Sequence, residues 1–114
     1  FQNNKFDIII FGFCLYLCDR KDLRTITEEA SRVLKDESWV IIKDFYSSKK
    51  TKTVYEHLPK LRSYKMDYRK IFSWNKSIIC YFHIIYDHDT NRFSDRKENW
   101  VSTSILRKSK KHHE

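Results

Sequence analysis

Glycine and proline each occur once in 114 residues, at Gly12 and Pro59, where an average domain carries about 7% glycine and 5% proline. The shortage of glycine excludes most. Loops that cradle phosphates need several glycines, so that backbone N–H groups can approach the phosphate oxygens and take up positive φ. Neither a G-x-G-x-x-G nor a Walker-type loop can be written from this sequence, so a loop for a nucleotide-like cofactor has to lie outside it. Long apolar runs are lacking too. The longest, residues 8–18, falls short of the ~20 residues of a membrane-spanning helix. The chain opens at Phe1 without a methionine and without the basic stretch, apolar run and small residues of a secretory signal. The expectation is a cytoplasmic protein whose beginning is missing. Cysteine is sparse and odd in number. Cys14, Cys18 and Cys80 fit buried free thiols better than a disulfide framework. A metal at Cys14 and Cys18 would need two further ligands, and His83 and His88 stand at a spacing that matches no zinc pattern, so no metal site is expected.

What the chain does contain suits one domain. It is 40% hydrophobic, 16% aromatic and 33% charged, with a formal charge of +8, enough apolar content to bury a core. Residues 6–11 (F-D-I-I-I-F) form an apolar run without alternation, the pattern of a strand buried on both faces. Gly12 follows and marks a sharp turn or a close backbone approach. Asp19 then reads as a helix N-cap with Asp22 in the first turn. Leu23, Ile26, Ala30, Val33 and Leu34 recur at helical spacing. Arg24, Glu28 and Arg32 lie four apart, so Glu28 can pair with either arginine. This predicts an amphipathic helix over about 20–34, with Lys35 favourably placed at its C-terminal end. Asp36-Glu37-Ser38 reads as a polar turn and residues 39–45 (W-V-I-I-K-D-F) as a second buried strand. Strand, helix, strand in about forty residues is a βαβ unit with parallel strands.

Beyond Asp44 the character changes. Residues 47–53 are polar and basic. Residues 54–74 interleave Tyr55, His57, Tyr64, Tyr68, Phe72 and Trp74 with Lys60, Arg62, Lys65, Arg69 and Lys70, a long excursion with a short helix near 68–72 capped by Asp67. Residues 77–87 and 99–107 predict two further strands, antiparallel to each other and separated by a polar turn-like piece. Residues 109–114 form a basic, disordered tail, which leaves 1–108 as one partial domain.

Taken together, F-D-I-I-I-F-G-F-C-L-Y-L at 6–17, an amphipathic helix ending S-R-V-L-K-D at 31–36 and W-V-I-I-K-D at 39–44 resemble the fourth and fifth strands of class I S-adenosylmethionine-dependent methyltransferases. The strong part covers residues 6–45; the rest follows by element order, with the last two strands in place of the family's closing antiparallel pair. The resemblance implies the C-terminal part of a Rossmann-like α/β sheet. Glu37-Ser38 replaces the family's usual glycines, and Tyr16-Leu17 stands where many members carry two histidines. The first three strands, with the glycine-rich loop and the ribose-binding acid, have no counterpart, so the resemblance implies a missing N-terminal half as partner and a chain inactive by itself.

S-adenosylmethionine is the implied cofactor. Ligands of open α/β sheets bind beyond the carboxyl ends of the strands, so the resemblance sets Phe11, Gly12 and Phe13 beside the cofactor. Tyr16 and Asp44 then face the methyl acceptor, and Tyr46 and Tyr64 form the pocket wall. Core packing is the competing role for Phe11 and Phe13. For Asp44 the site role is favoured, because a carboxylate at a strand end costs free energy unless it is paired or used. No catalytic residue can be named. His83, alternating within a strand, reads as a satisfied core or face histidine. From another class, the rival reading is a non-catalytic basic α/β module, its cations and aromatics at 49–70 binding nucleic acid or a protein partner.

Overall fold

The computed structural model describes residues 1–49, 51–54 and 62–113, with backbone alone at 51–54 and 62–63. In chain order the elements are β1 (Phe6–Gly12), α1 (Leu23–Val33), β2 (Leu34–Phe45), β3 (Thr51–Val54), β4 (Arg62–Lys65), β5 (Ile78–Asp87) and β6 (Trp100–Lys108). β1, β2, β6 and β5 form one sheet in that order. β1 and β2 run parallel, with Ile8 beside Trp39 and Ile10 beside Ile41. β6 is inserted next to β2 and is antiparallel to both β2 and β5. The parallel unit and the closing antiparallel pair thus stand where the sequence pattern puts them. β3 and β4 form a separate antiparallel pair within the excursion, which the sequence pattern did not reveal. After it, a 3-10 turn at Tyr68–Phe72 is capped by Asp67, whose side chain accepts from the Arg69 N–H.

Alternation across the strands decides where the core sits. Val40 and Ile42 of β2 and Leu106 of β6 point to one face and are almost fully buried, packed with Leu23, Ala30 and Leu34 beneath α1 and with Tyr68 and Phe72 of the 3-10 turn. Ile9 and Phe11 of β1 pack against the same cluster. The opposite face is open. Ile8 is 51% and Ile10 66% exposed, and Ile79, Tyr81 and Phe82 of β5 are exposed as well. The strand at 6–11, expected to be covered on both faces, is therefore covered on one, and β1 and β5 are the two edges of the sheet.

Several local expectations need correction. The regular helix starts at Leu23, since Arg20–Asp22 is a 3-10 turn, and neither Asp19 nor Asp22 makes a side-chain capping bond. Glu28 pairs with Arg24, while Arg32 turns to Glu29. The cation at the helix C-terminus is Lys108 from β6, whose Nζ donates to the carbonyls of Ser31 (2.7 Å) and Leu34 (2.8 Å). Lys35 instead faces Asp7. No turn separates helix from strand. Residues 36–38 lie within β2 as an irregularity opposite Phe6 and Ile8, with Glu37 at φ 63°. Arg107 donates to the Glu37 carbonyl and carboxylate (both 3.0 Å) and Ser109 Oγ donates to its other carboxylate oxygen (2.6 Å), which holds the bulge. Residues 109–113, expected to fray, carry a buried Ser109 and a 3-10 turn at Lys110–His113. His112 is tied there to the Ser77 carbonyl and the Tyr81 hydroxyl, each at 2.7 Å.

An unpaired, β-branched edge strand beside an exposed apolar face is a template for self-association. Ile10→Lys is expected to reduce oligomer and aggregate content in size-exclusion chromatography with light scattering. The urea midpoint should shift by less than the equivalent of about 0.5 kcal/mol, because a surface side chain is being exchanged. Unfolding by this substitution would mean that Ile10 is buried in solution.

Candidate functional site at the strand ends

β1 and β2 end side by side, and the segment leaving β1 closes over their carboxyl ends. Gly12 has no positive φ, and a Cβ built on it would meet no atom within 4 Å. It is Phe13 that takes the left-handed conformation, at φ 50°, which for a bulky residue costs free energy and is held only where its surroundings enforce it. The Phe13 N–H donates to the Lys43 carbonyl (2.8 Å), continuing the ladder one residue past β1. The sharp turn expected at Gly12 thus falls one residue later, and Gly12 is left as bare backbone facing open space.

Asp44 fastens the turn. Its side chain is fully buried near the end of β2. One oxygen accepts from the Leu15 N–H at 2.9 Å and the other from the Phe45 N–H at 2.8 Å, which seats the 3-10 turn Leu15–Leu17 and drives Leu15 into the core. Burial raises the Asp44 pKa to about 6, outweighing the backbone N–H bonds and the Arg20 charge that pull it down. Asp44 is thus a pin for the loop, with both oxygens turned to backbone. Arg20 is the second pin, and nothing in the sequence pattern marked it. Its guanidinium donates to the carbonyls of Leu15 and Cys18 (both 2.7 Å) and to the Met66 sulfur (3.0 Å) and Tyr68 hydroxyl (3.1 Å). It also lies 4.2 Å from the centre of the Tyr64 ring. Tyr68 in turn donates to the Tyr64 carbonyl at 2.7 Å, and burial pushes its own pKa well up.

The expected site residues separate accordingly. Phe11 faces the core, its ring 6.3 Å from Phe72. Phe13 lies at the strand ends, 5.2 Å from both Phe45 and His88, and Tyr16 meets Phe45 edge-on at 4.8 Å. Gly12, Phe13 and Tyr16 are thus brought together with Phe45 and His88. The last two were legible only as residues that end or follow strands. Tyr64 packs under Arg20 on β4. Tyr46 lies further along the sheet end, buried, its ring 6.0 Å from Trp100 and 5.5 Å from His83. Tyr46 and Trp100 line a cavity of about 290 Å³ together with Ser47, Ser48, Lys65, Lys97 and Glu98.

Among the other candidates, His83 is half-buried with Nδ1 2.7 Å from Ser104 Oγ. Its Nε2 has no partner among the described residues, and burial lowers its pKa. The cysteines are free, and Cys14 is exposed where a buried thiol was expected. Burial, with Asp44 nearby, raises the pKa of both Cys14 and Cys18, so neither is activated as a nucleophile. Among the described residues no group of three or more His, Cys, Asp or Glu side chains is placed to hold a metal, and no helix is long and apolar enough to cross a membrane. Of the basic segment 49–70, Lys65 donates to the Glu98 carbonyl (2.9 Å) and Arg69 grips Asp67. Tyr55, His57 and Lys60, and the side chains of Lys50, Lys52 and Arg62, lie outside the described residues.

No protein-family model matches the chain, and no curated protein matches it in sequence. Solved structures do match in shape. An S-adenosylmethionine-dependent methyltransferase from Methanosarcina mazei aligns with a TM-score of 0.71 over 96% of this chain and 62% of its own, at 12% identity. The 1,6-didemethyltoxoflavin-N1-methyltransferase of Burkholderia thailandensis, solved with 1,6-didemethyltoxoflavin and S-adenosylhomocysteine bound, gives 0.72 over 94% of this chain and 45% of its own, at 11% identity. A Leishmania major S-adenosylmethionine-dependent methyltransferase gives 0.65 over 91% and 39%, also at 11%. The chain therefore has the mixed α/β sheet of the S-adenosylmethionine-dependent methyltransferase fold, and it spans less than two thirds of the length of these neighbours.

Two predictions test the pins. Arg20→Ala, which removes four hydrogen bonds and the Tyr64 stack, is expected to cost about 2–4 kcal/mol in urea unfolding. Lys35→Ala, at an exposed pair, is expected to cost less than about 0.5 kcal/mol. For Asp44 the folded pKa lies above the unfolded value, so the folded chain holds a proton that the unfolded chain releases. That stabilisation is complete below about pH 4 and is lost as pH rises to about 6. The stability of the wild type minus that of Asp44→Asn should therefore fall between pH 4 and 6 and stay level above. A flat difference throughout would show an unshifted carboxyl.

Proposed function

We propose that this chain is the C-terminal half of an S-adenosylmethionine-dependent methyl-transfer unit, acting in the cytoplasm as part of a longer protein. The observation that carries the reading is the sheet order β1-β2-β6-β5, a parallel pair closed by an antiparallel pair, with bare backbone at Gly12 opening at its carboxyl end. The cofactor, when bound, supplies an electrophilic methyl group. The residues present suit one wall of its site. Gly12 and Phe13 offer backbone that a ligand can approach closely, while Asp44 and Arg20 keep the loop over the strand ends in one shape. Positioning of this kind carries much of the rate in a displacement that needs its reactants aligned. Phe11 takes the core role and leaves the cofactor wall. Tyr16, Phe45 and His88 form the aromatic floor toward the acceptor, and Tyr46 the wall beyond it. The unpaired β1 edge and the face at Ile8 and Ile10 are the seat of the N-terminal half, with its glycine-rich loop and ribose-binding acid.

For the rival reading as a nucleic-acid module, Lys65 and Arg69 already have partners within the chain, while Lys49 and Lys70 are exposed. Calorimetric titration with S-adenosylhomocysteine tests the proposal. The 114-residue chain is expected to show no micromolar binding. The protein encoded by the same reading frame extended upstream of Phe1 is expected to bind in the micromolar range. Micromolar binding by the short chain would mean that this half carries the site alone, and no binding by the extended protein would overturn the methyl-transfer reading.

A further inference from the structure

Strand register sets one row of residues across the open face of the sheet, near the strand ends. Gly12 lies beside Lys43, Lys43 beside Thr103, and Thr103 beside Ile84. Cross-strand partners share a face, and this row has the parity of Ile10, which is on the side away from the core. Tyr86, two residues beyond Ile84, points the same way, and its hydroxyl lies 2.9 Å from the Thr103 hydroxyl. The row ends in a cavity of about 440 Å³ lined by Ile84, Tyr86, Asn91, Arg92 and Phe93, inside the roughly 300–1,000 Å³ of ligand sites. The loop after β5 forms its outer wall. Phe93 is 79% exposed there, and its ring meets no other ring among the described residues.

A cation without a counter-ion stands at the near end of this cavity. Lys43 is half-buried, with Nζ 5.7 Å from the centre of the Tyr86 ring and 5.5 Å from that of Phe13. Its ammonium has no hydrogen-bond or ion-pair partner among the described residues. The ring faces offset part of its lost hydration, and a carboxylate would offset the rest. The chain's own carboxylates nearby are committed elsewhere. Asp44 accepts backbone N–H groups on the core side, and Asp87 accepts those of Asp89 and Thr90. Arg92 brings a second unpaired cation to the far rim. Ile8 and Ile10, assigned above to the N-terminal half, lie at the opposite edge of the sheet.

We infer that this trough binds a small carboxylic acid with an apolar body. The body fills the cavity at Ile84, Tyr86 and Phe93, the carboxylate meets Lys43, and Arg92 is the outer cation. Its role as methyl acceptor rests on the methyl-transfer reading above, while the ligand class stands on the trough alone. The carboxylate end lies toward Gly12 and Phe13, the backbone wall assigned to the cofactor. A neutral ligand would leave the half-buried ammonium without an acceptor, and a small hydrophilic anion would leave the cavity unfilled.

The test is a titration of the ¹⁵N-labelled 114-residue chain followed by NMR, with 4-phenylbutyrate and its neutral amide as probes at pH 7. Shifts are expected at the amides of Lys43, Tyr86, Arg92 and Phe93. The acid should bind about fivefold more tightly than the amide, the size of one partly exposed charge pair. Lys43→Gln should remove that preference and leave the affinity for the amide unchanged. Phe93→Ser, on an exposed loop, tests the cavity independently of Lys43 and should weaken both probes about fivefold while keeping the preference. Shifts centred on Ile10, equal affinity for the two probes, an unaltered preference in Lys43→Gln or unaltered affinities in Phe93→Ser would overturn the ligand class. The extended protein should bind the acid as well; binding by the short chain alone would mean that the N-terminal half fills the trough, which overturns the acceptor role. The titration contains no cofactor, so the two readings fail separately. Probe binding alongside an extended protein that ignores S-adenosylhomocysteine removes the acceptor role and keeps the ligand class. Cofactor binding without probe binding does the reverse.

Discussion

A fully buried carboxylate at the end of a strand organises this molecule. Asp44 sits at the margin of a parallel pair, where the backbone leaving β1 must turn over the sheet without a second glycine to help it. Its oxygens accept the N–H groups of Leu15 and Phe45, which gives a buried and a half-buried main-chain donor their partners and seats Leu15 in the core. The cost is visible in its pKa, raised by burial to about 6. Arg20 completes the restraint from the other side by binding the Leu15 and Cys18 carbonyls. With both groups in place, Phe13 can be held at φ 50°. The strained residue, the bare glycine before it and the aromatic cluster after it are all consequences of how this loop is fastened.

The second constraint is the asymmetry of the sheet. One face is filled by α1 and the 3-10 turn at Tyr68–Phe72; the other carries Ile8, Ile10 and Phe82 in the open. A β-sheet stabilises a chain through both faces when helices cover both, and through one face when they do not. Here the covered face supplies a contiguous core. The uncovered face and the free β1 edge are the features that a longer protein of this fold would bury.

The sequence made the frame legible to a large degree. The helical spacing of Leu23, Ala30 and Val33 reports a local periodicity, set by which side of a helix meets the core, and the unbroken apolar runs at 6–11 and 39–45 report strands by their content. Element order then implied the parallel pair and the inserted β6. Asp67 as the cap of 68–72 was legible for the same reason, since capping is a bond between near neighbours. The errors lay where distant residues compete for one task. Lys35 was adjacent to the helix end, but Lys108 reaches it from β6 because register brings that ammonium over Ser31 and Leu34. Glu37 looked like part of a turn; Arg107 and Ser109, seventy residues on, keep it in the strand as a bulge.

For the candidate site the division is sharper. Gly12, Phe13, Tyr16 and Asp44 were singled out by the family resemblance and their place near strand ends, and the first three do meet there. Which way each side chain turns was a tertiary matter. Phe11 goes inward because β alternation sets it opposite Ile10, and Asp44 turns to backbone because Leu15 presents an unpaired N–H there. Arg20 carried no sequence signal and His88 only its place after a strand, since a guanidinium at the start of a helix or a ring after a strand is commonplace until partners surround it. The sequence by itself determined the order and type of the elements of the main sheet and the inner face of the helix, because these follow from local spacing and apolar content. Only the tertiary structure decided which polar groups are pins and which are open to a ligand, because that depends on which donors and acceptors the fold has already paired.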